Sequence, residues 1–125
     1  MLDRYGKKTR LNNHMAKLHE ITDQNFQKEV IESKKNWAVV YSALSYCEPC
    51  KILHNTLQNE ILKDDIAKTV NFGTVAVEDK GINISGLAGV RSVPLTILYK
   101  NGEPIAQKTG SVPASEFLTF LKANF

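Results

Sequence analysis

The sequence predicts an α/β fold: one sandwich whose central mixed sheet is flanked by helices. Three observations carry this. Strand-like and helical patterns alternate in the order β-α-β-α-β-α-β-β-α, and strands separated by helices pair in parallel. Trp37-Ala-Val-Val-Tyr41 is a continuous apolar run of strand length, the pattern of a strand covered on both faces. Asn101-Gly102 stands between two strand patterns, a strong short hairpin signal that adds an antiparallel edge.

The elements follow in order. His19-Glu20-Ile21, after a short apolar start, predicts an edge strand. Thr22 or Asp23 is placed to cap a helix through about Ser33, with Phe26, Val30 and Ile31 on one face. Beyond the buried strand, residues 47–63 read as helix, with Ile52, Leu53, Leu57, Ile61 and Leu62 spaced to face inward. Residues 70–77 predict another strand, and residues 82–89 a short helix or loop, since Gly86 and Gly89 weaken the helical pattern. Residues 95–99 and 105–109 form the hairpin arms. A closing helix from Ser111, with Pro113 in its first turn, carries Phe117, Leu118 and Leu121. No internal repeat or linker interrupts this order.

Of the 125 residues, 42% are hydrophobic, an ordinary globular level that excludes disorder and collagen-like or coiled-coil chains. A chain of this length hides roughly two-thirds of its unfolded surface, so neither a metal nor a disulfide is required for stability. No apolar run approaches the ~18 residues that span a bilayer, so no membrane partner is expected.

The net charge of +3 divides unevenly. Residues 1–17 hold five bases (Arg4, Lys7, Lys8, Arg10, Lys17) against one acid, Asp3, leaving eleven bases against twelve acids in the remainder. A nearly neutral domain lacks the clustered bases of a nucleic-acid-binding face. Residues 1–17 also lack the apolar core and small-residue cleavage site of a secretory signal, and Met15-Ala16-Lys17 reads like a second start. They are expected to be a disordered extension ahead of a domain over 18–125, in a cytoplasmic protein. A basic arm that binds an acidic surface is the alternative.

The only cysteines, Cys47 and Cys50, lie three apart, just after a buried strand and at the start of a helix. A helix N-terminus carries about half a positive charge and several unpaired N–H groups, which together stabilise a thiolate. The thiolate is the nucleophile, so this is where a reactive cysteine belongs. Cys47 falls at the cap and more exposed, Cys50 one turn in and more buried. Three residues of helix bring both sulfurs to one face, close enough to close a small disulfide loop. Pro49 is tolerated because no intrahelical bond is lost in a first turn. A zinc site is the rival for a Cys-x-x-Cys pair, but a closed site wants four ligands and no further cysteine exists. His14 falls in the extension, and His54 would have to share a helix face with both sulfurs. No metal is expected, and His54 reads as a surface helix residue.

A wider pattern accompanies the dithiol. A strand leads into Cys47-Glu48-Pro49-Cys50-Lys51 and a helix, followed by Gly89-Val90-Arg91-Ser92-Val93-Pro94, then Lys100-Asn101-Gly102-Glu103, then Gly110. This ordered set resembles the thioredoxin family over residues 18–125. The resemblance implies a thioredoxin-like three-layer α/β/α sandwich and a redox-active centre in which the Cys47–Cys50 disulfide opens and closes. It implies a cis bond before Pro94, which packs against the dithiol, and a Val93 backbone that pairs with a bound substrate strand. Val93, Pro94 and Gly110 then frame the substrate groove, with Tyr46 and Val90 as apolar contacts. The redox-active disulfide serves without any bound cofactor. The implied partners are disulfide-containing proteins and a thioredoxin reductase using NADPH, in electron transport and cell redox homeostasis, with the chain acting as a monomer.

The departures are as informative. The family usually has Trp-Cys-Gly-Pro-Cys where this chain has Tyr46-Cys47-Glu48-Pro49-Cys50. The family's buried aspartate corresponds to Tyr41, and its lysine partner to Val75. A tryptophan position holds Ala43, and a helix-kinking proline position holds Asn55. Losing both members of a buried acid–base pair is coherent, since losing one leaves an uncompensated charge. It also removes the proton acceptor proposed for the second cysteine. Glu48 and Pro49 are expected to tune the centre. A carboxylate at position 48 suits the helix dipole, and its charge near Cys47 disfavours the thiolate, making the couple more reducing. The expected function is a thiol–disulfide oxidoreductase that reduces protein disulfides. A disulfide oxidase or isomerase is disfavoured by acidic Glu48 and the missing export signal. A non-catalytic binding or chaperone-like module remains the alternative of a different class.

Overall fold

The structure is a computed structural model that describes residues 16–125. Most of the expected extension, residues 1–15, therefore lies outside the described residues, as does His14. Five strands form one sheet: β1 (Leu18–Ile21), β2 (Trp37–Ser42), β3 (Asn71–Ala76), β4 (Leu95–Lys100) and β5 (Glu103–Thr109). Their order is β1-β3-β2-β4-β5, which puts β1 at an edge. Strands β1, β3 and β2 pair in parallel, and β4 and β5 add antiparallel pairings. Among the described residues three α-helices accompany them: α1 (Glu48–Asn59), α2 (Ile82–Leu87) and α3 (Ala114–Asn124).

The sheet is buried on both faces, which produces three layers. Every residue of β2 is buried. Its Val39 and Tyr41 pack with Val30, Val75, Ile84 and Ile97 on the α2 side. Its Ala38 and Val40 pack with Leu53 and Leu57 of α1 and Phe117 and Leu121 of α3 on the other. Alternating side chains thus feed two cores from one strand.

At the hairpin tip Asn101 and Gly102 both take positive φ, the conformation of a primed turn. Glycine is also required there sterically, because a Cβ on Gly102 would stand 2.7 Å from the Ile31 carbonyl oxygen.

Four expectations are corrected. The helix expected over residues 22–33 is a turn followed by a five-residue π-helical segment, Gln27–Ile31. Thr22 does receive the Gln24 N–H on its hydroxyl. Asp23, however, is drawn away: its carboxylate accepts from Asn83 N–H at 3.2 Å and Ile84 N–H at 2.9 Å, capping α2 instead. The N-cap of that helix is Gly81, which has no side chain to offer. The long helix over 47–63 ends at Asn59, where Glu60 leaves helical geometry, and short 3-10 turns follow at Ile61–Lys63 and Asp65–Lys68. Ile52 is 58% exposed, since the buried stripe runs through Cys50, Leu53 and Leu57 and position 52 lies a helical step to its side. The closing helix starts at Ala114, with Pro113 as its extended N-cap rather than a first-turn residue.

Candidate active site

Strand β2 delivers the chain to the N-terminus of α1 through a tight turn, in which Tyr46 N–H and Cys47 N–H both donate to the Ala43 carbonyl. Cys47 is the N-cap of α1, in extended conformation. Cys47 and Cys50 are joined by a disulfide, with their Cα atoms 5.2 Å apart. Cys47 is 9% exposed and Cys50 1%, so the first sulfur is the one a partner can reach.

Backbone donors meet both sulfurs. The Cys50 N–H donates to Cys47 Sγ at 3.2 Å, and the Ala43 N–H to Cys50 Sγ at 3.5 Å. On reduction these N–H groups, with the helix dipole behind the first, favour thiolate over thiol. The Ala43 donor was not legible in the sequence, because a backbone group leaves no residue-type signal.

Glu48 and Pro49 occupy the first turn, where proline loses no helical bond. The Glu48 carboxylate is not isolated. Lys51 Nζ lies 2.9 Å from its Oε2, on an exposed face, so part of its charge near Cys47 is offset.

The second wall comes from the segment before β4. The Val93–Pro94 peptide bond is cis. The Val93 carbonyl oxygen lies 3.9 Å from Cys47 Sγ, and Val93 packs with Ala43, Cys47 and Cys50. Gly110 N–H donates to the Pro94 carbonyl at 2.8 Å, and Gly110 sits at φ +87°, a conformation that favours glycine. Tyr46, Val90 and Val93 line one cleft of about 300 Å³ beside the dithiol. Pro94 and Gly110 join this assembly through their backbone hydrogen bond and lie outside the cleft lining. Neither that cleft nor a larger cavity of about 590 Å³, between His19, Lys68 and Phe72, has a cysteine in its lining.

Two further pairs escaped sequence reasoning. Tyr41 and Val75 face each other across β2 and β3, both fully buried. Tyr41 is satisfied by Tyr99, their hydroxyl oxygens 2.6 Å apart. Burial drives the Tyr41 phenol far above its ordinary range, and burial also raises Tyr99. Neither phenol is a base near neutral pH. They belong to the core on the α2 side, whereas Cys50 packs with Ala43, Leu44, Val77 and Val93. Ser45, adjacent to Tyr46, donates its hydroxyl to Glu78 at 2.7 Å, tying the loop before Cys47 to the connection after β3. That hydrogen bond holds the Glu78 carboxyl below its ordinary range.

Among the described residues, no group of three or more His, Cys, Asp or Glu is placed to hold a metal ion. His54 has Gln58 as its side-chain neighbour, at 3.5 Å, rather than either sulfur. No described helix is long and apolar enough to cross a membrane.

Comparison with known proteins matches this arrangement. A family model described as Thioredoxin covers residues 17–123. The thioredoxin of Buchnera aphidicola subsp. Acyrthosiphon pisum is 37% identical over 110 residues, spanning 88% of this chain and 98% of that protein. The thioredoxin of Chlorobaculum thiosulfatiphilum is 35% identical over 98 residues, spanning 78% of this chain and 87% of its own. A solved structure of Malassezia sympodialis thioredoxin superposes with a TM-score of 0.76 at 23% identity, covering 87% of this chain and 91% of that one, a likeness of fold.

Proposed function

This chain belongs to the thioredoxin family and is a thiol–disulfide oxidoreductase of that type; from this premise we propose that it runs as a protein-disulfide reductant. The observation that supports the reading most is the placing of Cys47: a helix-capping sulfur that accepts a backbone N–H and borders the carbonyl of Val93, a residue of the neighbouring cleft. In the cycle, the Cys47 thiolate attacks one sulfur of a substrate disulfide. A mixed disulfide forms, and the second substrate sulfur leaves as a thiolate and takes up a proton. Cys50 then loses its proton and attacks Cys47 Sγ, which breaks the mixed disulfide. The first substrate sulfur leaves as thiolate, and Cys47–Cys50 holds the disulfide. Two electrons have passed to the substrate.

Cys47 is the nucleophile and Cys50 the resolving thiol. The Ala43 N–H stabilises the Cys50 thiolate in place of an ion pair, and the proton Cys50 gives up is matched by the one the departing substrate thiolate takes up. Glu48, offset by Lys51, and Pro49 tune the couple toward the reducing side. Tyr46, Val90, Val93, Pro94 and Gly110 form the substrate groove. The Cys47–Cys50 pair itself carries the electrons, as the dithiol, without a bound cofactor. A thioredoxin reductase drawing on NADPH restores the dithiol, with the chain acting as a monomer in the reducing cytoplasm.

The test is insulin reduction by dithiothreitol with and without the protein. Wild type should accelerate it and Cys47→Ser should not. Cys50→Ser should accumulate mixed disulfides with its substrates. Equal activity in wild type and Cys47→Ser would make the fold a binding module, and a redox potential in the oxidising range would reverse the direction of the cycle.

A further inference from the structure

We propose that Ser45 and Glu78 are positioning residues for the resolving step: their hydrogen bond holds the Ala43 amide on Cys50 Sγ and so sets how readily Cys50 gives up its proton. This rests on the reading of Cys50 as the resolving thiol of a protein-disulfide reductant. In that step Cys50 loses a proton and its sulfur bonds to Cys47 Sγ. The bond from Cys47 to the substrate sulfur breaks, and the departing thiolate takes up a proton. Cys50 needs help to ionise. It is 1% exposed and packs with Ala43, Leu44, Val77 and Val93, and burial among apolar groups disfavours a thiolate. The Ala43 N–H meets its sulfur at 3.5 Å. Hydrogen bonds weaken steeply with misalignment, so a rotation of that peptide unit takes the donor off the sulfur.

The peptide unit that carries this donor is held on its other side. The Ser42 carbonyl, in the same unit, accepts from Val77 N–H at 3.0 Å. A single such point leaves the unit free to turn about it. The second restraint comes two residues beyond Ala43, where the Ser45 hydroxyl donates to Glu78 Oε2 at 2.7 Å. Val77 and Glu78 are consecutive, so the two bonds bracket Ala43 and Leu44 against one stretch of chain. That stretch is itself braced, since Asp79 N–H and Gly81 N–H both donate to the Ala76 carbonyl. Among the described residues, Ser45–Glu78 is the one hydrogen bond between side chains that ties residues 43–46 to another part of the chain. Both residues are exposed, so their pairing adds nothing to the apolar core. The carboxylate makes the bond charge-assisted, and the same bond holds the Glu78 carboxyl below its ordinary range.

One equivalent of the chromogenic disulfide dithiobis(nitrobenzoate), added to the reduced protein, tests this, because attack and resolution each release one coloured thiolate. In stopped flow the first phase reads attack by Cys47, and the second reads resolution by Cys50. Cys47 Sγ takes its donor from Cys50 N–H at the start of α1, so Ser45→Ala should leave the first phase at the wild-type rate. At neutral pH its second phase should slow about threefold, the partial loss of one hydrogen bond to a thiolate. The gap should close at high pH, where Cys50 ionises without help. Ser45→Thr, which keeps both the hydroxyl and the Glu78 charge, should restore the second phase. A merely structural role for the serine would lower the thermal midpoint without moving that pH profile. A second phase unchanged in Ser45→Ala, slowed equally in Ser45→Thr, or slowed in step with the first overturns the positioning role and leaves the reductant reading intact. A wild-type protein with no second phase overturns the reductant reading, and the positioning role with it.

Discussion

Replacing Tyr41 with phenylalanine (Tyr41→Phe) removes one hydroxyl from a pair held 2.6 Å apart in the core and strands the other. Tyr99 is buried, so its hydroxyl finds no water in exchange. An unsatisfied buried donor or acceptor of this kind costs about 1–3 kcal/mol. Tyr99→Phe strands Tyr41 and costs a similar amount. The double variant removes both groups while keeping both rings, and is expected to be nearly neutral. Urea unfolding of the oxidised proteins at neutral pH, arranged as a double-mutant cycle, measures the difference directly. Single variants costing less than about 0.5 kcal/mol, or a double variant costing the sum, would refute the reasoning.

The same pair makes a prediction about pH. Both folded-state phenols titrate above their ordinary range, so they hold their protons where the unfolded chain releases them. Stability from this source is complete below the unfolded tyrosine value of about 10 and falls as pH rises beyond it. The slope is about 1.4 kcal/mol per pH unit for each tyrosine, and the double variant should lose that share of it. Catalysis should not feel the change. Because the Tyr41 phenol stays protonated throughout the working range, Tyr41→Phe should leave the pH profile of insulin reduction where it is. A moved profile would mean that Tyr41 titrates with the dithiol.

Two other substitutions have definite expectations. Asp23→Ala strips two N–H partners from the first turn of α2 and should destabilise by about 0.5–2 kcal/mol, seen as a fall of roughly 4 °C in Tm per kcal/mol. Asp23→Asn, which keeps an acceptor, should recover most of that loss, and equal losses in the two variants would argue against a capping role. Glu48→Gln should make the redox potential less negative, because a charge that disfavours the Cys47 thiolate is gone. At bulk-water strength the interaction is at most about 1 kcal/mol, or ~20 mV for a two-electron couple, and the Lys51 partner keeps it below that. Titration against glutathione reads the shift, and a more negative potential would reverse the assigned effect of the carboxylate.

Legibility followed range along the chain. The strand at residues 37–41, the turn at Asn101-Gly102 and the dithiol at a helix start each depend on neighbours within a few positions, and their patterns stand in the residue order. The segment over 22–33 misled for the opposite reason. Its apolar residues do face the core, yet its expected cap, Asp23, serves a helix 61 residues away. Ile52 misled because several apolar residues in one helix cannot all lie on a stripe as narrow as the one the sheet covers.

By itself the sequence determined a mixed, doubly covered sheet with a reactive sulfur pair where one helix begins, because periodicity, turn chemistry and the helix dipole act locally. Only the tertiary structure decided how that pair is surrounded. Tyr41 meets Tyr99 across 58 residues, and Ser45 meets Glu78 across 33. The Ala43 amide is brought against Cys50 Sγ, and the cleft over α2 takes its walls from four separate stretches of chain. Such contacts are chosen by packing, which minimises unpaired polar groups over the whole molecule rather than along its length.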